Sequence, residues 1–174
     1  MDKLPSDGTP LSTHLRPSAR VTGMIIVATI AAPILGGLAT SRGVNQWYTT
    51  LITPSWNPPS WLFGPVWTVL YCMMGIAAIL AYRGAQLRGM RARALLTAYF
   101  VQLCLNTAWS FIFFWAMLPG WALAEILVLL VMIIVTMILF WKVRPLAGLL
   151  LVPYALWVSF ATVLNWSLWS LNRS

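Results

Sequence analysis

The sequence predicts an all-α fold, a single integral membrane bundle of five transmembrane helices, and three observations carry that reading. Of the 174 residues, 60% are hydrophobic and 8% charged, with a mean hydropathy of +0.82, which is too apolar for a water-covered surface. Five apolar runs follow one another at residues 21–40, 65–82, 94–117, 121–141 and 146–169, each close to the ~20 residues needed to cross ~30 Å of hydrocarbon. The basic residues gather in alternate connections, as a membrane topology requires.

Residues 1–20 are polar, proline-containing and without periodicity, which reads as a disordered tail ahead of a bundle domain at 21–171. The run at 21–40 is longer than a signal-peptide core and follows a long, weakly basic leader, so it is read as a true span. Ala28, Ala32, Gly36 and Thr40 repeat along it at four-residue spacing. Small residues in that register let helix backbones approach closely in lipid, within the bundle in preference to a dimer. Loop 1, residues 41–64, carries Trp47-Tyr48 and then Pro54, Pro58 and Pro59 ahead of Gly64-Pro65. Rings that fix φ and push their predecessors toward extended geometry make this a stiff cover, with no helix before Pro65.

A short basic connection at 83–93 leads into the third span, and Pro119-Gly120 is read as the tight turn after it. Lys142-Val143-Arg144-Pro145 closes the fourth span, and the fifth runs to residue 169. With five spans, the tail and the two basic connections share one side and hold Lys3, Arg16, Arg20, Arg83, Arg88, Arg91, Arg93, Lys142 and Arg144; the other side holds Arg42 and Arg173. That bias predicts a cytoplasmic tail with loop 1 outside. The net charge of +8 is therefore a topology signal and a contact for anionic membrane lipid, and nucleic acid is excluded as a partner.

Helical spacing places aromatic and amide residues on shared stripes. Phe63, Trp67 and Tyr71 align on the second span; Gln102, Asn106 and Trp109 on the third; Pro153, Trp157, Ala161, Leu164 and Asn165 on the fifth. Amides in hydrocarbon need partners and should face inward. Their convergence with tryptophans beneath a stiff loop is the make-up of a ligand pocket, apolar and aromatic with a few polar groups. Trp121, Trp141, Trp166 and Trp169 fall at span ends, as interface anchors do. Glu125 lies about one turn inside the fourth span, near enough to the interface to snorkel or to be protonated. His14 is the only histidine, so the sequence offers no Ser-His-Asp set, paired carboxylates or metal cluster, and neither isolated cysteine, Cys72 or Cys104, reads as a ligand.

Four separated motifs, in order, resemble the TspO/MBR family. They are Trp47-Tyr48; Pro54-Ser55-Trp56-Asn57-Pro58-Pro59 with Gly64-Pro65-Val66-Trp67 and Leu70-Tyr71; Gln102 with Asn106 and Trp109; and Val152-Pro153-Tyr154 with Trp157 and Phe160-Ala161-Thr162-Val163-Leu164-Asn165. The resemblance implies a five-helix bundle, often a homodimer, that binds porphyrins, haem and, in animal members, sterol and drug-like isoquinoline carboxamides. It implies a cavity lined by Tyr48, Pro58, Trp67, Tyr71, Asn106, Trp109, Trp157, Ala161 and Leu164, to which the stripes add Gln102 and Asn165. Porphyrin or haem is then a ligand; no cofactor is required and no metal site is expected. A light-driven porphyrin oxidation proposed for the family would fall on Trp67 and Trp157, with Trp47. The expected protein is a membrane receptor or carrier for tetrapyrroles, with the ring among Trp67, Trp109 and Trp157 and Arg42 as the one basic residue near a propionate. The alternatives are an enzyme that degrades porphyrin with light and oxygen, or a regulatory membrane partner without a ligand. Trp166 and Ser170 stand where animal members carry the tyrosine and arginine of a sterol motif, which is thus incomplete here. A bacterial inner membrane is expected over a mitochondrial outer membrane, as nothing resembles a transit peptide.

Overall fold

A computed structural model describes residues 17–173, and among them the chain forms helices and turns without a strand. The spans are α1 (Ala19–Val44), α2 (Phe63–Leu87), α3 (Arg93–Ser110), α4 (Pro119–Val143), and a fifth divided into α5 (Pro145–Leu149) and α6 (Val152–Asn172). All five are long and apolar enough to cross a bilayer, and the protein is an integral membrane protein. Four of them overrun the bounds read from sequence, each at both ends, into residues less apolar than the spans themselves. The expected tail is cut short at its near end, where α1 begins at Ala19 and the Ser18 amide donates to the Tyr82 hydroxyl (2.9 Å). The rest of that tail, residues 1–16, lies outside the described residues.

Prolines account for three further departures. Loop 1 was expected to stay extended until Pro65, yet it contains 3₁₀ turns at Tyr48–Thr50 and Ser60–Leu62, and α2 starts at Phe63. Amides of a first helical turn have no intrahelical acceptor, so Pro65 forfeits nothing there, and Gly64 has no Cβ to clash with the ring behind it. Pro119 opens α4, where its missing N–H is again harmless; the reversal expected at Pro119-Gly120 lies just before it. Pro153 leaves the carbonyl of Leu149 without its helical donor, and the fifth span breaks at Leu150–Leu151.

The reversal ahead of α4 is built by an altered helix end. Beyond Ser110 the third span widens into a π-helical turn, Phe111–Trp115, with the Ala116 amide donating to the Phe111 carbonyl (2.8 Å). Met117 then takes φ +57°, and the Leu118 amide donates back to Ile112 (3.1 Å), a Schellman-type stop that ordinarily uses glycine. A left-handed methionine costs about 1–2 kcal/mol. Met117→Gly is expected to raise unfolding stability by about 0.5–1 kcal/mol after the extra unfolded-state entropy of glycine is subtracted; a shift of the thermal midpoint in detergent checks this.

Around the bundle, α1 packs on α2 and α3, α3 on α4, and α4 on α5 and α6, while α2 and α6 touch only lightly. The buried face of α1 is Ile25, Thr29, Ala32, Gly36, Ala39 and Gly43, so the small residues serve contacts within the bundle. Gly36 lies against Ser110, Gly43 against the backbone carbonyl of Phe114, and Gly75 of α2 against Thr29. Lipid tails are as apolar as leucine, so such close approach and interhelical hydrogen bonds, here Thr29 with Tyr99 (2.6 Å), replace a hydrophobic driving force. The main core lies toward the end carrying the basic connections, around Met74, Ala81, Tyr99, Phe140 and Leu151. A smaller cluster at the loop-1 end is built on Phe113, Ala122, Leu164 and Leu168.

Candidate ligand cavity

Between these cores, under loop 1, lies a cavity of about 1430 Å³, larger than the ~300–1,000 Å³ typical of small-molecule pockets. Of the residues expected to line it, Tyr48, Pro58, Trp67, Tyr71, Asn106, Trp109, Trp157, Ala161, Leu164 and Asn165 do so. They come from loop 1, α2, α3 and α6.

Gln102 does not reach the wall. It lies one helical turn, about 6 Å, further toward the basic end than Asn106; it is fully buried, with neither end of its amide hydrogen-bonded among the described residues. Trp47 also stands outside the wall and packs edge-on to Phe113 at 5.4 Å. Arg42 is exposed, with its guanidinium 4.0 Å from the centre of the Trp115 ring, and it does not enter the cavity as a partner for a propionate.

A polar chain crosses the cavity floor. The Tyr71 hydroxyl donates to Asn106 Oδ1 (2.5 Å), and Asn106 Nδ2 donates to the hydroxyl of the fully buried Tyr154 (2.9 Å), joining α2, α3 and α6. Beside it, Trp109 Nε1 donates to Asn165 Oδ1 (3.1 Å), and Asn165 Nδ2 donates to the Pro119 carbonyl at the start of α4 (2.8 Å). The amides of Asn106 and Asn165 are thus satisfied by the protein, as hydrocarbon demands, whereas that of Gln102 is not. Trp157 Nε1 is buried with no partner among the described residues.

Aromatic rings make up much of the wall. Trp67 lies 5.7 Å from Tyr71 and 6.2 Å from Tyr154; Trp157 lies 5.9 Å from Phe63 and 5.5 Å from Phe160; Trp109 stacks on Phe113 at 5.0 Å. Loop 1 covers the top, tied to α6 and braced within itself. Asn172 of α6 accepts from the Ile52 amide and donates to the Ile52 carbonyl (both 2.9 Å), and the Tyr48 hydroxyl donates to Asn57 Oδ1 (3.0 Å). Burial raises the Tyr48 phenol above its ordinary pKa, outweighing the lowering effect of the Asn57 bond. It therefore stays protonated, and a donor, throughout the physiological range.

Several wall residues escaped the sequence reading. Phe113 falls four residues after Trp109 and seven after Asn106, so the α3 stripe already pointed to it, whereas Phe114 is brought to the wall within the wider π-helical turn, Phe111–Trp115. Pro33, Gly36, Gly37 and Thr40 come from α1, a helix so uniformly apolar that no periodicity marks its cavity side; Ile26, Ile30 and Ile34, at four-residue spacing, were the available signal. Glu125 neither snorkels nor joins the wall. It falls three residues after Ala122 and four before Leu129, both buried, so it shares their inward stripe, and its carboxylate oxygens are buried with no hydrogen-bond partner among the described residues. Trp121, Trp141 and Trp166 are exposed, as interface anchors should be.

The sequence model of the TspO/MBR family matches residues 24–170. The tryptophan-rich protein TspO of Chlorobaculum tepidum is 41% identical over 143 residues, covering 82% of this chain and 90% of that one. The human translocator protein is 42% identical over 148 residues, with 82% and 86% covered. The tryptophan-rich sensory protein of Cereibacter sphaeroides is 40% identical over 128 residues, with 74% and 78% covered.

Proposed function

The chain belongs to the TspO/MBR family, and from that premise we propose that it is a membrane receptor or carrier whose cavity binds a flat tetrapyrrole such as protoporphyrin or haem. The observation that carries this reading is the wall itself: Trp67, Trp109 and Trp157 on three different spans, around about 1430 Å³ beneath a pinned loop. A macrocycle is a large π-surface, and each aromatic pair adds about 0.5–1.5 kcal/mol beyond the area it buries. The size of the space favours a polycyclic ligand over a drug-sized one. Names such as sensory protein and translocator protein among the relatives agree with a role in sensing or moving such a molecule. The alternation of basic connections supports the orientation with loop 1 outside and residues 83–93 in the cytoplasm.

The test is a protoporphyrin titration of the protein in lipid nanodiscs, followed by tryptophan quenching and the porphyrin absorption band. Trp67→Leu and Trp157→Leu are each expected to weaken Kd by about three- to tenfold, the equivalent of one lost aromatic pair. Trp166→Leu, which changes a lipid-facing ring, is expected to bind as the parent does. Unchanged affinity in both cavity variants contradicts the reading.

A further inference from the structure

The cavity opens between α1 and α2 as well as at its loop-1 rim. Where α1 and α2 meet, its wall consists of Ile26, Ile30 and Ile34 from α1 with Cys72 and Ile76 from α2. The four isoleucines are 45%, 56%, 57% and 52% exposed in chain order, and Cys72 is exposed as well. In a bundle whose outer surface is lipid, side chains that both line a cavity and face outward mark an opening toward the acyl chains. Inside them, α1 and α2 come into contact where Gly75 meets Thr29 on the cavity wall. The loop-1 rim is exposed as well, at Asn45, Thr49, Ser60 and Trp61, but there the loop is tied to α6 through Asn172 and braced internally by the Tyr48–Asn57 bond.

The wall also lacks formal charge. Among the described residues, none of those lining the cavity is Lys, Arg, His, Asp or Glu. A carboxylate passing through would be stripped of water with no counter-charge to receive it, which is strongly unfavourable. An uncharged ring system dissolved in the bilayer meets no such barrier.

The geometry points to the α1–α2 seam as a lateral portal that admits an uncharged, membrane-dissolved, planar ligand directly from the acyl-chain region. This rests on the tetrapyrrole reading for the ring system and adds its route and its charge class. Carboxylated tetrapyrroles bind with their acid groups left toward the headgroups; their esters bind without that constraint.

The protein's two cysteines allow a direct test. Cys72 lies in the seam, whereas Cys104 is exposed on α3 outside the cavity wall. Cys104→Ser and Cys72→Ser each leave one thiol, which is reacted to completion with N-benzylmaleimide in proteoliposomes and checked by intact mass. Two quantities are then measured: Kd for protoporphyrin dimethyl ester, and the rate at which bound ester exchanges with excess zinc complex in the same membrane. A plugged portal slows entry and exit alike, so the Cys72 adduct is expected to exchange at least tenfold more slowly with Kd within threefold, and the Cys104 adduct to match unmodified protein. Gly37→Phe is likewise expected to slow exchange at least tenfold, since Gly37 lines the cavity and has open space around it. Exchange unchanged in both blocked forms, or a raised Kd without slower exchange, overturns the portal. Binding of the free acid but not of the ester overturns the charge class. Binding of neither leaves no tetrapyrrole site at all, so failure of the parent reading is recognised separately.

Discussion

Gly43→Ala is expected to abolish the stable bundle, whereas Gly37→Ala, six residues earlier on the same helix, is expected to unfold with the parent. A Cβ at residue 43 would overlap the backbone carbonyl of Phe114, while one at residue 37 meets nothing within 4 Å. The obstacle at residue 43 is main chain, so no rotamer change relieves it, and α1 would have to separate from the π-helical turn that carries Phe113 and Phe114. Overpacking ordinarily costs about 1–3 kcal/mol where side chains can yield, and a backbone clash belongs at or above the top of that range. In lipid, where packing at small residues is itself the association energy, the loss also removes contacts along the seam. Thermal unfolding in detergent, with size-exclusion profiles of both variants, checks the pair. Equal stability of Gly43→Ala and Gly37→Ala would refute the close approach.

The second large effect concerns the cavity floor. Asn106→Leu is expected to destabilise the protein by about 2–3 kcal/mol. It removes the acceptor of the Tyr71 hydroxyl and the donor to Tyr154 together, leaving two buried phenols without partners at about 1–3 kcal/mol each. Interhelical hydrogen bonds in membranes average nearer 0.6 kcal/mol, because the dissociated helices also find partners; that brings the sum down from its upper bound. The decisive comparison is with Tyr71→Phe/Asn106→Leu/Tyr154→Phe, which deletes the whole chain and leaves nothing orphaned. It is expected to recover at least half of the lost stability, the non-additivity that marks a shared network. If the triple variant is the least stable of the set, the hydroxyls are not coupled through Asn106.

Sequence periodicity pointed to the cavity wall wherever a helix carried contrast. Amides and tryptophans at i, i+4 and i+7 stand out against leucine and valine, so the stripes on α2, α3 and α6 could be read directly, and they meet at the cavity. The same reasoning failed where contrast or regularity was missing. It placed Gln102 in the wall because a stripe shows which way a residue faces and not how deep it lies along the helix. It stopped the α3 stripe at Trp109 and so missed Phe113, it missed Phe114 in the wide turn, and it missed the α1 side, where contrast is weak. Pro119 reads from sequence as part of a turn and Pro145 as the close of the fourth span, but both, like Pro65 and Pro153, sit in first helical turns, where a missing N–H has no consequence. Glu125 was placed by distance from the helix end, when its spacing from Ala122 and Leu129 was the better guide.

The central claim is that indole rings from separate spans enclose a hollow under loop 1 in which a tetrapyrrole lies. An experimental structure of the protein with zinc protoporphyrin, the metal located by its anomalous signal, tests this most directly. The account predicts the zinc between Trp67, Trp109 and Trp157, with the macrocycle edge toward the α1–α2 seam. Zinc density on the outer surface, with those three rings packed together and no space between them, would contradict it.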